Sequence, residues 1–153
     1  MKKETVIIFT KYLLDFMYFA GIVVTVLLPF PGLVQRVAEF LDFHDYEGHY
    51  AEIIVIYFVL GILAVLILGE LRKMFRTVLA DDCFVKDNVV SLQRMGTYSF
   101  VIAVICLLRT VLYMTIAMLV LVLVFIIAGL FSKVLAFVFD RAVEYKLEND
   151  LTI

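Results

Sequence analysis

The residues best suited to chemistry lie between the first two apolar runs of the sequence, in the segment 42–52. Both histidines, His44 and His49, occur there among four carboxylates, and such side chains are common ligands of zinc and similar metals. The titration range of histidine also allows a pH-sensing role. The spacing of the two histidines matches no compact metal motif, so a solvated acidic loop is the favoured interpretation. We therefore predict no metal site and no cofactor.

Catalytic motifs are absent from the sequence. The two cysteines, Cys83 and Cys106, do not form the C-x-x-C pair of a thiol oxidoreductase. H-E-x-x-H, G-x-S-x-G and a glycine loop for phosphate are also missing. We therefore predict that the protein is not an enzyme.

Two charged residues lie closest to the predicted membrane core. Asp15 falls near the start of the first run, and Arg109 separates the third from the fourth. A charge inside a membrane segment is a functional candidate by default, for example in ion conduction or gating. However, Asp15 can pair with Lys11 four residues earlier, and Arg109 can reach lipid headgroups or the acidic loop. We therefore predict that both are membrane-interface charges.

The composition indicates the environment of the secondary-structure elements that carry these residues. The chain has 153 residues, of which 65% are hydrophobic, whereas soluble domains contain about 45–50% apolar residues. A domain of this size cannot bury that excess, so the lipid bilayer is the expected solvent. The formal net charge of −2 argues against direct binding of nucleic acid, which requires a basic face.

Four uncharged runs are long enough to cross a bilayer core of about 30 Å. The predicted spans are about 9–30, 52–70, 96–112 and 115–136. The fold class is therefore all-α, a polytopic membrane protein with four transmembrane helices that form a single domain over residues 1–153.

The third and fourth spans need a separate argument, because they meet at Arg109 without an obvious loop. A single helix over residues 98–132 would be about 52 Å long, which is too long for one span. We therefore predict a tight turn within residues 109–115.

The distribution of Lys and Arg predicts the orientation. With four spans both termini lie on the same side, and 11 of the 13 Lys and Arg residues fall on that side. We therefore predict a multi-pass protein of the cell (cytoplasmic) membrane with N-in/C-in topology. The outer loop would cover residues 31–51, the cytoplasmic loop residues 71–95 and the cytoplasmic tail residues 137–153.

Local signals predict how the helices continue and end on the cytoplasmic side. Apolar stripes extend beyond the second and fourth spans, which predicts helical extensions into the cytoplasm. Asp81 and Asp82 are predicted to end the second helix, and Asp87 and Asn88 to cap the start of the third.

Two segments on the predicted cytoplasmic side carry motifs. Residues 84–96 contain Phe, then Asn-Val, then Leu, Arg and Gly, and residues 148–153 read Glu-Asn-Asp-Leu-Thr-Ile. Together with the four spans, these motifs resemble a bacterial family of small integral membrane proteins, domain of unknown function family 2975. The resemblance covers nearly the whole chain.

The resemblance implies a function, because genes of that family commonly lie beside a gene for a small Cro-type helix-turn-helix regulator. It implies a non-enzymatic regulatory membrane protein that binds or sequesters a cytoplasmic helix-turn-helix transcriptional regulator. The alternative is a small transporter, channel or immunity-type membrane protein, although few charges lie within the spans. The sequence leaves open whether the protein forms a homo-oligomer.

We predict that the two motif segments form one partner-binding surface, because both emerge at the same membrane face. Apolar side chains would supply an anchor and polar side chains a rim, the usual anatomy of a contact patch. The predicted partner-binding residues are Phe84, Asn88, Val89, Leu92, Arg94, Glu148, Asn149, Asp150 and Leu151. The alternative is that the two segments cap helices and pack on each other.

Overall fold

The computed structural model describes residues 3–30, 32, 36, 50–112 and 116–151. Within these ranges it contains the helices α1 (Lys3–Leu27), α2 (Tyr50–Leu79), α3 (Lys86–Leu112) and α4 (Ile116–Leu151). All four are long and apolar enough to cross a membrane, and the described ranges contain no strand. The predicted all-α fold with four candidate transmembrane helices is therefore confirmed.

Consecutive helices are antiparallel and pack in chain order. α1 packs on α2, α2 on α3 and α3 on α4, and the contact between α3 and α4 is the most extensive. Consequently the first turns of α1 and α3 lie at the same end of the bundle as the last turns of α2 and α4. We call this end, formed by residues 3–15, 70–94 and 132–151, the polar end.

The interior contains two clusters of buried apolar residues, both between α3 and α4. The cluster nearer the polar end consists of Val89, Leu92, Ala136 and Val143. The second consists of Ile102, Cys106 and Val122. α2 covers the second cluster through Leu60, Leu63 and Ile67. α3 is therefore the central helix, and α1 is peripheral.

The outer surface of the helices is strongly apolar. Phe16 of α1 and Phe131 and Phe137 of α4 each have more than half of their surface exposed. Large exposed apolar side chains on several helices are expected where lipid rather than water surrounds a protein. The structure is therefore that of a multi-pass membrane protein.

The connection between α2 and α3 begins with a Schellman motif. Asp81 has a φ of 54°, the left-handed conformation that Asp adopts more readily than most residues. The Asp82 N–H donates to the Thr77 carbonyl at 3.1 Å, and the Asp81 N–H to the Val78 carbonyl at 3.3 Å. These bonds satisfy carbonyls at the end of α2. The helix break predicted at Asp81 and Asp82 is confirmed.

The other helix boundaries agree with the prediction in part. α3 begins at Lys86, so Asp87 and Asn88 lie in its first turn, and the predicted cap at these residues is wrong. α3 ends at Leu112 and α4 begins at Ile116, so their connection falls inside the interval predicted for the tight turn.

All four described helices are longer than the predicted spans, and α3 begins ten residues before its span. α2 continues past residue 70 to Leu79, and α4 continues past residue 136 to Leu151. These two extensions follow the apolar stripes from which helical extensions were predicted. Most of the predicted outer loop, residues 31–51, and the last two residues of the tail lie outside the described residues.

Candidate functional site

A buried carboxylate on α2 organises the polar end. Glu70 is 6% exposed and follows the apolar run of α2. Its Oε2 accepts a hydrogen bond from Ser91 Oγ at 2.7 Å, and its Oε1 lies 3.0 Å from Lys73 Nζ and 3.4 Å from Arg94 Nη1. A carboxylate loses hydration on burial, and these three donors replace it. Glu70 therefore joins α2 to the beginning of α3.

A buried amide stabilises the connection between α2 and α3. Asn88 is 2% exposed, and its Nδ2 donates to Thr77 Oγ1 at 2.6 Å and to the Cys83 carbonyl at 2.7 Å. Both amide hydrogens are thus used within the protein. Thr77 Oγ1 in turn donates to the Met74 carbonyl at 2.7 Å. The side chain of Asn88 therefore holds the connection against the last turns of α2 instead of capping its own helix.

α3 and α4 approach closely near Gly96. A Cβ atom placed there would lie 3.0 Å from the Gly129 carbonyl oxygen and 3.0 Å from the side chain of Lys133. Lys133 Nζ donates to the Gln93 carbonyl at 2.8 Å and to Thr97 Oγ1 at 3.0 Å. The two helices are thus joined by backbone proximity and by one lysine that bridges two turns of α3.

The last turns of α4 contact the connection between α2 and α3. Lys146 Nζ lies 2.7 Å from Asp82 Oδ1, and the Phe84 ring packs against Phe139 with a centroid distance of 5.4 Å. The ion pair is exposed and contributes little to stability, whereas the ring contact also buries apolar surface. Together the two contacts fix where the end of α4 leaves the bundle.

Among the described residues, an ion pair joins α1 to α2 at the polar end. Arg72 Nε lies 2.5 Å from Asp15 Oδ1, and the guanidinium lies 4.5 Å and 5.1 Å from the ring centroids of Tyr18 and Phe19. Asp15 is thus paired with α2 rather than with Lys11, its predicted partner. The planar guanidinium combines a charged hydrogen bond with stacking on aromatic rings, which a lysine ammonium does not match.

Comparison with known protein families shows to which family the chain belongs. A family model described as "Protein of unknown function (DUF2975)" matches residues 19–153. The chain belongs to the DUF2975 family. No curated protein and no solved structure matches it. The resemblance noted in the sequence motifs is therefore confirmed, and the matched region contains the whole of α2, α3 and α4 of this DUF2975 member.

The predicted partner-binding residues of this DUF2975 member fall into two groups. Asn88, Val89 and Leu92 are buried. The exposed residues are Phe84, Arg94, Glu148, Asn149, Asp150 and Leu151. A buried side chain cannot contact a partner at the surface, so Val89 and Leu92 act here as packing residues of the first apolar cluster. Val89 and Leu92 therefore do not form the apolar surface anchor that was predicted from them.

The two predicted segments lie at the same end of the DUF2975 protein. Lys146 brings the last turns of α4 to Asp82, two residues before Phe84. Arg94, in contrast, lies on the side of α3 that contacts Glu70 of α2. We call the exposed residues 144–151 the α4 tail.

Arg109 lies near the opposite end of α3. Its guanidinium packs over the ring of Tyr57 at 4.9 Å, and its Nη1 is buried without a hydrogen-bond partner in the described part of the chain. The histidine and acidic segment with which it was predicted to interact falls mostly outside the described residues, including His44 and His49. Its position at the membrane interface stays a prediction.

Metal ligation is not found in the part of the chain that the structure describes. No group of three or more His, Cys, Asp or Glu side chains is placed there to hold a metal ion. The candidate ligands His44 and His49 lie outside that part.

Sequence reasoning missed Glu70 and its partner Ser91. A signal was present, because Glu70 is the only acidic residue between Glu52 and Asp81. A single acid at the end of a long apolar run is costly unless it is paired, which marks it as a candidate for interhelical contact. Ser91 carries no comparable signal, since a serine near the start of a helix is common.

Proposed function

We propose that this DUF2975 member is a non-enzymatic regulatory membrane protein whose polar end binds a cytoplasmic helix-turn-helix transcriptional regulator. The length of α4 supports the proposal. α4 has 36 residues, which corresponds to about 54 Å, against about 30 Å for a bilayer core. About 16 residues of a helix of this length extend beyond the core. That extension includes the α4 tail.

The side chains of the α4 tail suit contact with a protein in water. Tyr145, Leu147 and Leu151 are 67%, 57% and 86% exposed. They alternate with charged residues, whereas the face of α4 that carries Ile127, Phe131 and Val134 has no charged residue along that stretch. Exposed apolar side chains within a polar rim are typical of binding surfaces. A helix of this kind is a common docking element for a small helical partner.

The charge of the tail favours a DNA-binding partner. Residues 144–151 include three acidic residues, Glu144, Glu148 and Asp150, and one basic residue, Lys146. DNA-binding surfaces are basic, so an acidic helix can occupy such a surface and compete with DNA. A regulator bound in this way would be held at the membrane and kept from its operator. Transcription would change without any catalytic step.

The proposal requires the polar end to face the cytoplasm, and the native cysteines allow a direct test. Cys83 is partly exposed at the polar end, whereas Cys106 is buried. A membrane-impermeant maleimide should leave Cys83 unlabelled in intact cells and label it once the cells are permeabilised. The Cys83→Ser variant should lose this label. Labelling of Cys83 in intact cells would contradict the orientation and the proposal.

Site-specific photo-crosslinking tests the binding itself. A photoreactive amino acid replaces Leu147 or Leu151, and the protein is expressed together with a small helix-turn-helix regulator from its native host. Phe131 is the matched control, because it is 63% exposed on the apolar part of the same helix. We expect crosslinks from the tail positions and none from position 131. No crosslink from the tail, or equal crosslinking from position 131, would refute the proposal.

The alternative is a small transporter, channel or immunity-type membrane protein, and Arg109 is the observation that favours it. Its Nη1 is buried and has no hydrogen-bond partner among the described residues, so it is available to an anion. If the protein conducts anions, reconstituted vesicles should show a flux that Arg109→Gln abolishes. The regulator proposal predicts no flux in either protein and unchanged tail crosslinks in the variant.

A further inference from the structure

We propose that the polar end binds the phosphate group of an anionic phospholipid in a cleft between α1 and α2. The cleft has a volume of about 350 Å³ and is lined by residues of both helices. Its charged lining consists of Lys11, Asp15, Arg72 and Arg76. Three cations and one carboxylate give the cleft a net charge of +2, which attracts an anion. This inference does not depend on the binding of a regulator.

The cleft contains one cation that is held in place. Arg72 uses its Nε–H for Asp15 and is stacked over Tyr18. A guanidinium has five N–H donors, so the terminal nitrogens of Arg72 are still available to a phosphate oxygen. Planar, pre-positioned guanidinium groups bind phosphate well because little side-chain entropy is lost.

The other two cations of the cleft have no counter-charge in the part of the chain that the structure describes. Lys11 and Arg76 are exposed, and neither forms an ion pair with another described residue. Most other cations of the polar end have a carboxylate partner, namely Lys73, Lys86, Arg94 and Lys146. Two cations without an ion pair among the described residues, Lys11 and Arg76, therefore lie together in one cleft, whereas Lys133 and Arg141 lie outside it.

The remaining lining of the cleft favours a lipid over a soluble phosphate. Leu14 and Phe75 contribute apolar walls, and Phe16 of α1 is exposed on the apolar surface beyond the cleft. The cleft thus lies at the border between charged and apolar surface, where a headgroup is located. Basic pockets between transmembrane helices are known to bind anionic headgroups. An acyl chain can contact the apolar walls, whereas inorganic phosphate gains nothing from them.

Lipid retention by the full-length protein tests the inference. Native mass spectrometry is performed from micelles that contain equal amounts of phosphatidylglycerol and phosphatidylcholine. We expect preferential retention of phosphatidylglycerol. Lys11→Gln or Arg76→Gln should each weaken that retention about fivefold, the contribution of one cation near an anionic headgroup. Arg141→Gln is the matched control, because Arg141 is an exposed cation of the polar end outside the cleft.

A second variant separates loss of binding from misfolding. Asp15→Asn removes the carboxylate of the cleft and should raise the affinity for phosphatidylglycerol about fivefold, a gain that misfolding cannot produce. Arg76→Lys should retain binding. Unchanged or weaker binding by Asp15→Asn would overturn the inference. So would a lack of preference for phosphatidylglycerol, or an equal loss in Arg141→Gln.

A competition experiment identifies the source of the phosphate. Inorganic phosphate is added in excess to the complex with phosphatidylglycerol. The lipid should stay bound, because the apolar walls contribute to its affinity. Displacement of the lipid would assign the cleft to soluble phosphate and overturn the lipid assignment.

Discussion

α3 and α1 differ in their surroundings, and their compositions explain the difference. α3 carries buried polar side chains such as Asn88, Ser91 and Thr110, and 50% of its most apolar window is buried. None of the corresponding window of α1 is buried. Lipid tails are as apolar as leucine, so an apolar helix gains little free energy when it moves from the lipid into the protein interior. Polar side chains, in contrast, gain hydrogen bonds in the interior. The less apolar helix therefore occupies the centre.

The two helices also differ in how they are attached. α3 is joined to its neighbours by the network of Glu70, the amide of Asn88 and the bridge from Lys133. α1 is joined to α2 by the pair of Asp15 with Arg72 and by close approach at glycines. We therefore expect changes around α3 to unfold the bundle and changes around α1 to loosen one helix.

A large loss of stability is expected for Glu70→Ala. The variant leaves Ser91 buried without a partner, while the cations of Lys73 and Arg94 are more than half exposed and regain water. The free energy of unfolding should fall by about 2 kcal/mol. Titration of the protein with a denaturing detergent, followed by circular dichroism, measures the change. Glu144→Ala, an exposed acid of α4, should change it by less than about 0.5 kcal/mol. Equal effects of the two variants would contradict the central role of α3.

Two glycine variants test the difference between α3 and α1. In Gly96→Ala the new Cβ would meet the Gly129 carbonyl oxygen at 3.0 Å, and a backbone atom cannot easily move away. We expect a loss of about 1–3 kcal/mol in the free energy of unfolding, as for other overpacked interiors.

In Gly61→Ala the Cβ would meet Thr25 Oγ1 of α1 at 2.7 Å. We expect α1 to move away from α2 while the contact of α3 with α4 is kept. Energy transfer between dyes on α1 and α4 should decrease in Gly61→Ala and stay unchanged in Gly32→Ala, since nothing lies within 4 Å of a Cβ at Gly32. If Gly61→Ala lowered the free energy of unfolding as much as Gly96→Ala does, the peripheral role of α1 would be refuted.

The smallest effect is expected for Arg72→Gln. The side chains of the ion pair are 21% and 31% exposed, so solvent screens the attraction, and the loss should be about 0.5–1 kcal/mol. The same denaturation experiment measures it, with Arg141→Gln as the control for a cation without an ion pair among the described residues. A loss as large as that of Glu70→Ala would show that α1 belongs to the core.

The four long helices of the described residues, and their order, could be predicted from the sequence, because long apolar runs have few alternatives in a bilayer. The turn before Ile116 and the break at Asp81 could be predicted for related reasons, since a single helix would be too long and two aspartates interrupt the apolar stripe. These features depend on length and local chemistry alone.

The contacts between helices could not be predicted in the same way. In a soluble protein the apolar face of a helix shows which side is buried, but here lipid and protein interior are both apolar. Val89 and Leu92 could therefore be taken for a surface anchor, although they are buried, and Asp15 could be assigned to Lys11 instead of Arg72. Only packing decides which partner each polar group finds.

The unbroken course of α4 gives the molecule a mechanical property. α4 is one helix from Ile116 to Leu151, and an α-helix bends little over this distance. The part outside the bilayer core is about 24 Å long, so a change of about 10° in tilt displaces its tip by about 4 Å. Helix tilt responds to membrane thickness. Any change in the tilt of α4 relative to the membrane would therefore displace the tail.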